Sequence, residues 1–467
     1  MATARLEAPA GTPASASAAA ALPPALAQRA SGTTIVPAAF IFLVLGCTVL
    51  QRFGITLGGS SLNAAHFGAY ALLAAALFSG RLALNAARLV VFFALLSLAG
   101  LSWVVNETWG AHGSSSPTSF VLLVLMYLPF IFMVRPAVVS AAAGGAGAVT
   151  DIDSEWILRV FAGVGLFCAI AGIAQFLMQF VIKAPWLFDF TPNLPPVLRS
   201  SGGYNTVIPA GDGLFKSNGF FFKEPSLFSL VMAFALLVEI GHFRRWLRMG
   251  VLLAALLLTY SGSGLLVLAA GLLFPLRVRT FMRLGAVALV GGLLALALWD
   301  VLNLGFTLGR LEEFGRPRSS AHMRYVAPIQ LIMDSITREP WTVWMGHGPG
   351  TIYRTGTTWG WFYEYHDPSL AKLLFEYGLL GLLLAVALTA LMLRNPAFPI
   401  QVRAAAFFCW IATGGFFLTP EMTYLMLVFG NVFVPAAKAP GEVAGGAAEQ
   451  PPASAVNARA SRAPMPT

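Results

Sequence analysis

The stretch YHDPSLAKLLFEYGLLGLLL, Tyr365 to Leu384, places a histidine and an aspartate at the mouth of an apolar segment and leaves one glutamate, Glu376, inside it. A histidine with a near-neutral pKa can serve as general base or donate to a phosphate oxygen. Proline suits the first helical position and aspartate is a favoured N-cap, so Asp367 and Pro368 are expected to start a helix, with His366 one residue outside it. Earlier in the chain, GLFKSNGFFFKEPSLFSL repeats the pattern, with Glu224 and Pro225 at the start of a second helix. Unpaired N–H groups and the positive end of the dipole make a helix N-terminus an anion site, and two such mouths on one face would suit a diphosphate. The same residues also read as ordinary caps of helices re-entering a membrane, and His366 as an interfacial histidine bonded to a loop carbonyl.

Further polar groups lie nearby. Glu376, about 15 Å along the helix from His366, has Lys372 four residues before it, and we read the two as a structural ion pair. Arg324 sits on a roughly amphipathic segment with Tyr325, Ile329, Leu331, Ile332 and Ile336. It could hold a phosphate with its forked guanidinium from a helix on the membrane surface, or simply snorkel to the interface. GHGPG, Gly346 to Gly350, is a turn cluster, and neither His322 nor His347 has a spacing to acidic residues that points to a metal. The arginines between residues 303 and 369 are balanced by Glu312, Glu313, Asp334, Glu339, Glu364 and Asp367, which fits a discrete site better than broad electrostatic capture.

The elements that must position these groups are membrane helices. Of 467 residues 57% are hydrophobic and 10% charged, with a mean hydropathy of +0.75, far above what a soluble core needs. A hydrocarbon core takes about 20 apolar residues per helix. Windows of that kind fall near 35–53, 62–79, 86–106, 118–134, 157–183, 225–242, 246–260, 262–276, 281–302, 370–393, 399–417 and 421–435. The expected fold is therefore an all-α polytopic membrane protein of about twelve transmembrane helices. Two long extracytoplasmic loops, about 184–224 and 303–369, would carry the chemistry.

Arg81, Arg88, Arg135, His242 to Arg248, Leu276 to Arg283, Arg394 and Arg403 fall on alternate sides of that count, which assigns them and both termini to the cytoplasm. The net charge of +9 thus concerns topology; the cations are not clustered on one solvated face as nucleic-acid binding requires. Cys47, Cys168 and Cys409 lie in apolar runs without metal or disulfide spacing. The Ala/Pro-rich stretches 1–34 and 436–467 read as disordered cytoplasmic tails around a transmembrane unit at 35–435.

In order, KSNGFFFKEPSLFSL, the LTYSGSGLLVL turn, SSAHMRYVAPIQLI with GHGPG, and HDPSLAKLLFEYGLLGLLL resemble the O-antigen polymerase and ligase superfamily of bacterial membrane glycosyltransferases. The resemblance spans roughly residues 199 to 385; the preceding helices match only in hydropathy. It implies metal-independent transfer, without cofactor, of a glycan from undecaprenyl diphosphate to an acceptor hydroxyl on the outer face of the inner membrane. Carried over residue by residue, the catalytic roles fall on Arg324 and His366. The diphosphate-binding roles fall on Arg199, Lys216 and Lys223, with Glu224 at the helix mouth beside them. Two departures stand out: Ser261, Gly262 and Ser263 occupy a turn where the family often has an arginine, and Lys216 stands where arginine is common.

Three functions follow from this reading. A polymerase joins lipid-linked repeat units into O-antigen or exopolysaccharide, with a chain-length regulator as a possible partner. A ligase moves finished glycan onto lipid A-core or protein, and a transporter carries the lipid-linked sugar. The polymerase is favoured because FFFKEPSLFSL looks more like polymerases than ligases. Transport fits less well because the early helices carry almost no charge that could line a path.

Overall fold

The computed structural model describes residues 35–57, 60–109, 115–141, 148–182, 184–200, 215–277, 282, 285, 293, 296–297, 312, 314–317, 319, 321–360, 368–413 and 420–430. Both terminal stretches, most of the expected span at 281–302, and His366 with Asp367 lie outside the described residues.

Apolar helices dominate. The first part of the chain forms α1 (Ile35–Cys47), α2 (Ala64–Phe78), α3 (Ala86–Trp109), α4 (Pro117–Tyr127) and α5 (Ser154–Met178). Then come α6 (Pro225–Val238), α7 (Trp246–Leu257), α8 (Gly262–Leu272), α9 (Ala327–Arg338), α10 (Thr342–Met345) and α11 (Thr351–Thr358). The last are α12 (Ser369–Met392), α13 (Ile400–Phe408) and α14 (Pro420–Phe429). Local sequence accounts for several starts. The Asp153 side chain accepts from Trp156 N at 2.7 Å to cap α5, and Ser116 caps α4 ahead of Pro117.

Among the described residues four helices are long and apolar enough to cross a membrane: Ala86–Trp109, Ser154–Met178, Pro225–Phe243 and Ser369–Met392. Seven of the other expected spans hold shorter apolar helices, from 9 residues in α13 to 15 in α2. Windows of hydropathy merge a helix with the turn that ends it, so they overstate helix length. Nor is the structure wholly helical. Among the described residues three two-stranded antiparallel pairs join β1 (Gly54–Leu57) to β2 (Ser60–Asn63), β3 (Leu82–Leu84) to β4 (Phe132–Val134), and β5 (Val138–Ala141) to β6 (Ala148–Thr150). Each is too short to register as a periodic strand.

Helix α6 is buried along almost its whole length, as a helix apolar on every face should be. It runs parallel to α8: Gly264 N donates to Ser229 Oγ at 3.1 Å near the start of both, and Gly271 lies against Leu237 further along. Helices α3 and α12 run antiparallel. Arg88 donates to the carbonyls of Leu391 and Met392 at one end, and Ser102 Oγ reaches Glu376 O at 3.4 Å toward the other. Arg88 thereby serves carbonyls that the end of α12 leaves without helical partners.

Helix α12 is broken. Gly378 has φ 67° and ψ −170°, and the turn Gly346 to Gly350 packs into the break. His347 N donates to Phe375 O and Gly348 N to Glu376 O, both at 2.9 Å, replacing the helical bonds those carbonyls lose. Asn106 Nδ2 closes the far side on Gly346 O at 3.1 Å. Irregular backbone inside a membrane helix needs this satisfaction from neighbouring protein. A small apolar core of Leu331, Ile332, Ile352, Ala371 and Phe375 then holds α9 and α11 on the first turns of α12.

Candidate functional site

The polar groups gather where α6 and α8 begin. Glu224 occupies the N-cap position of α6 with Pro225 first in the helix, as expected, but its carboxylate accepts from the Ser226 hydroxyl and caps no backbone N–H. Pro368 is itself the N-cap of α12, its ψ of 149° lying outside the helical region, so that helix starts one residue later than expected.

Arg324 lies on a single wide helical turn, His322–Val326, leading into α9, and its Nη1 donates to Ser263 Oγ at 3.2 Å. Ser263 is in the first turn of α8, so this guanidinium stands at the Ser261–Ser263 turn that lacks an arginine of its own. Burial pushes the neighbouring Tyr325 phenol up, and the charge of Arg324 opposes that shift.

Lys216 is buried, and the segment around it is locked from three sides. Ser217 N donates to Leu258 O at 3.1 Å, just before the turn that Arg324 reaches. Ser217 Oγ donates to Gly172 O at 2.9 Å, and Asn218 Nδ2 to Phe188 O at 2.7 Å. Gln175, on α5, donates to both Leu187 O and Asn218 Oδ1 at 2.7 Å. The residue after Lys216 thus bonds one end of the Leu258–Ser263 turn, and Arg324 bonds the other.

Lys223 pairs with Glu421 at the start of α14, Nζ to Oε1 at 2.9 Å. The same carboxylate oxygen accepts from Asn63 Nδ2, and His66 on α2 lies within electrostatic reach of both charges. Arg199 stands apart. Its guanidinium donates to Leu194 O at 2.7 Å and Pro192 O at 2.6 Å, and its backbone bridges to Phe53. It organises its own loop. His366 lies outside the described residues, on the approach to α12.

Lys372 and Glu376 form the buried pair expected of them, Nζ to Oε1 at 2.7 Å. His347 is also accounted for: its Nε2 bonds Ser335 Oγ at 2.6 Å and its ring stacks on Phe375.

Several residues had escaped the sequence reading. Arg52 is buried and donates to Asp189 Oδ1 at 2.6 Å, Thr191 Oγ1 at 2.8 Å, Phe188 O at 2.8 Å and Phe222 O at 2.6 Å, tying the 184–191 loop to the FFF segment. Gln175, Asn63, His66 and Glu421 complete the polar network. The only available signal was a polar residue within or beside an apolar run.

Long apolar helices with cations, amides and carboxylates at the starts of several of them mark a membrane protein. The match to the WcaD colanic acid polymerase family model covers residues 41–434, and the chain belongs to that family. It is accordingly a polymerase of saccharide repeat units in exopolysaccharide or O-antigen biosynthesis. Comparison with curated proteins and with solved structures returned no match.

Proposed function

We propose that the protein transfers a growing glycan from undecaprenyl diphosphate to a hydroxyl of the next lipid-linked repeat unit, at the outer face of the bacterial inner membrane and without a metal. The observation that carries this reading is the Arg324 contact with Ser263, which sets a forked cation at the mouth of α8 beside the segment holding Lys216. In the proposed topology about twelve segments cross the bilayer, both termini are cytoplasmic, and the loops 184–224 and 303–369 face outward. In that topology α6, α8 and α12 begin at the outer face and α3 at the inner one.

Charge develops on the diphosphate as the bond to the anomeric carbon breaks, and preorganised donors there lower the barrier more than donors that must move. Arg324 offers two parallel N–H groups to phosphate oxygens, while Lys216 offers a point charge from a buried, fixed segment. Lys223 is held by Glu421 and contributes to the field at the mouth of α6. Arg199 fixes its own loop through Leu194 and Pro192. His366, one residue before the Asp-Pro start of α12, contacts the phosphate or takes the acceptor proton. In-line attack by the acceptor oxygen inverts the anomeric carbon.

The glycan left on undecaprenyl diphosphate in a strain lacking the protein tests the assignment. Single repeat units accumulating on the outer face are expected. Long chains stranded on the carrier would instead mark a ligase, and units kept on the cytoplasmic face a transporter.

A further inference from the structure

The network around Glu421 has a feature that a structural ion pair does not need. Glu421 Oε1 takes both donors, Lys223 Nζ at 2.9 Å and Asn63 Nδ2 at 2.5 Å. Among the described residues its buried Oε2 has no hydrogen-bond partner, and neither has Nδ1 of His66. Glu421 is 1% exposed and His66 6%. An unpartnered buried carboxylate oxygen is costly, and the great majority of buried polar atoms have a partner.

Three chain segments bring these groups together. Asn63 and His66 stand at the start of α2, Lys223 just before α6, and Glu421 at the start of α14. The ring of His66 lies edge-on to Tyr424, one turn after Glu421, with centroids 5.3 Å apart. The Lys223 side chain, 11% exposed, is the less buried member of the ion pair. From Lys223 the chain leads into α6, whose first turns touch the mouth of α8 where Arg324 sits.

From this geometry we infer that Glu421 and His66 form the subsite for the acceptor sugar hydroxyl, with Glu421 Oε2 as the general base. The inference rests on the transferase reading above and adds to it the residue that receives the proton. The acceptor oxygen bonds to the anomeric carbon as the bond from that carbon to the diphosphate oxygen breaks. The hydroxyl proton passes to Glu421 Oε2. The electron pair of the broken bond leaves with the diphosphate, toward Arg324 and Lys216. Lys223 and Asn63 fix the other oxygen, so the carboxylate presents one lone pair in one direction. His66 Nδ1 orients the sugar by a second hydrogen bond, which leaves the phosphate contact to His366.

The test uses the full-length protein in liposomes with a purified undecaprenyl-diphosphate-linked repeat unit, read as polymer length and initial rate. E421Q keeps an oxygen for Lys223 and Asn63 but cannot take a proton. Its kcat is expected to fall about 100-fold or more, with KM for the lipid-linked unit within about threefold. E421G is expected to be as slow, and sodium formate should restore its rate at least tenfold while leaving wild type and R324A unchanged. An E421Q rate within threefold of wild type overturns the inference, as does a correctly inserted E421G that formate does not revive. Should E421G fail to insert, the E421Q rate decides alone. A wild-type protein that extends no chain defeats the transferase reading itself, and the inference with it, and so is told apart from a failure at Glu421.

Discussion

Replacing Gly378 by alanine tests the joint that holds the Gly346–Gly350 turn in the break of α12. The residue has φ 67° and ψ −170°, a region essentially closed to side-chain-bearing residues. An added Cβ would lie 2.3 Å from Trp344 C and 2.4 Å from Trp344 O, backbone atoms that cannot rotate away. The dihedral penalty is about 1 to 3 kcal/mol. Relieving the clash separates the GHGPG turn from the break, and the bonds His347 N to Phe375 O and Gly348 N to Glu376 O each contribute about 1 kcal/mol. The local opening free energy of the turn should therefore fall by about 3 kcal/mol or more, which is a factor of about 100 in the open population. Hydrogen exchange read by mass spectrometry on the purified protein in nanodiscs should show the His347 and Gly348 amides exchanging about 100-fold faster. Gly100→Ala, whose added methyl meets nothing within 4 Å, should leave those amides unchanged. Exchange in the Gly378→Ala protein within threefold of wild type would refute the clasp.

Other perturbations have equally definite outcomes. Lys372→Met leaves Glu376 charged and buried and should cost about 3 to 5 kcal/mol of unfolding free energy, whereas Lys372→Met with Glu376→Leu should recover most of it; thermal unfolding of the three proteins decides. Arg52→Met removes three anchors of the 184–191 loop and its tie to Phe222, so limited proteolysis should cut there in the variant and not in wild type. Arg324→Ala should slow polymerisation by about 100-fold or more, with Arg324→Lys recovering only part because an ammonium cannot fork onto two oxygens. His366→Ala should slow it by a similar factor of about 100. Normal chain lengths in a strain carrying either alanine variant at wild-type levels would remove that residue from the site.

Much of the architecture was legible because its causes are local. An apolar run declares itself wherever backbone polar groups must be satisfied within one segment. Lys372 and Glu376 are one helical turn apart, so their pairing follows from helix geometry alone. Glu224 and Pro225 start α6 for reasons contained in two residues. The break in α12 was not legible in the same way. Glu376-Tyr377-Gly378 continues an apolar run, and a glycine there reads as a tolerated helix residue until Trp344 is seen against it. Arg199 illustrates the converse: its type and loop position suited a phosphate, yet nearby carbonyls occupy its guanidinium.

By itself the sequence determined that this chain lives in a membrane, near which residues most of its apolar helices start, and that it resembles the polymerase and ligase superfamily. All three depend on composition, on neighbours in the chain, or on the order of motifs. Only the tertiary structure decided that Asn63, His66, Lys223 and Glu421 are one cluster, that Arg324 answers to Ser263, and that GHGPG mends a broken helix. The reason is physical: a buried polar atom reveals in the sequence that it needs a partner, while the identity of the partner depends on which distant helix the packing brings beside it.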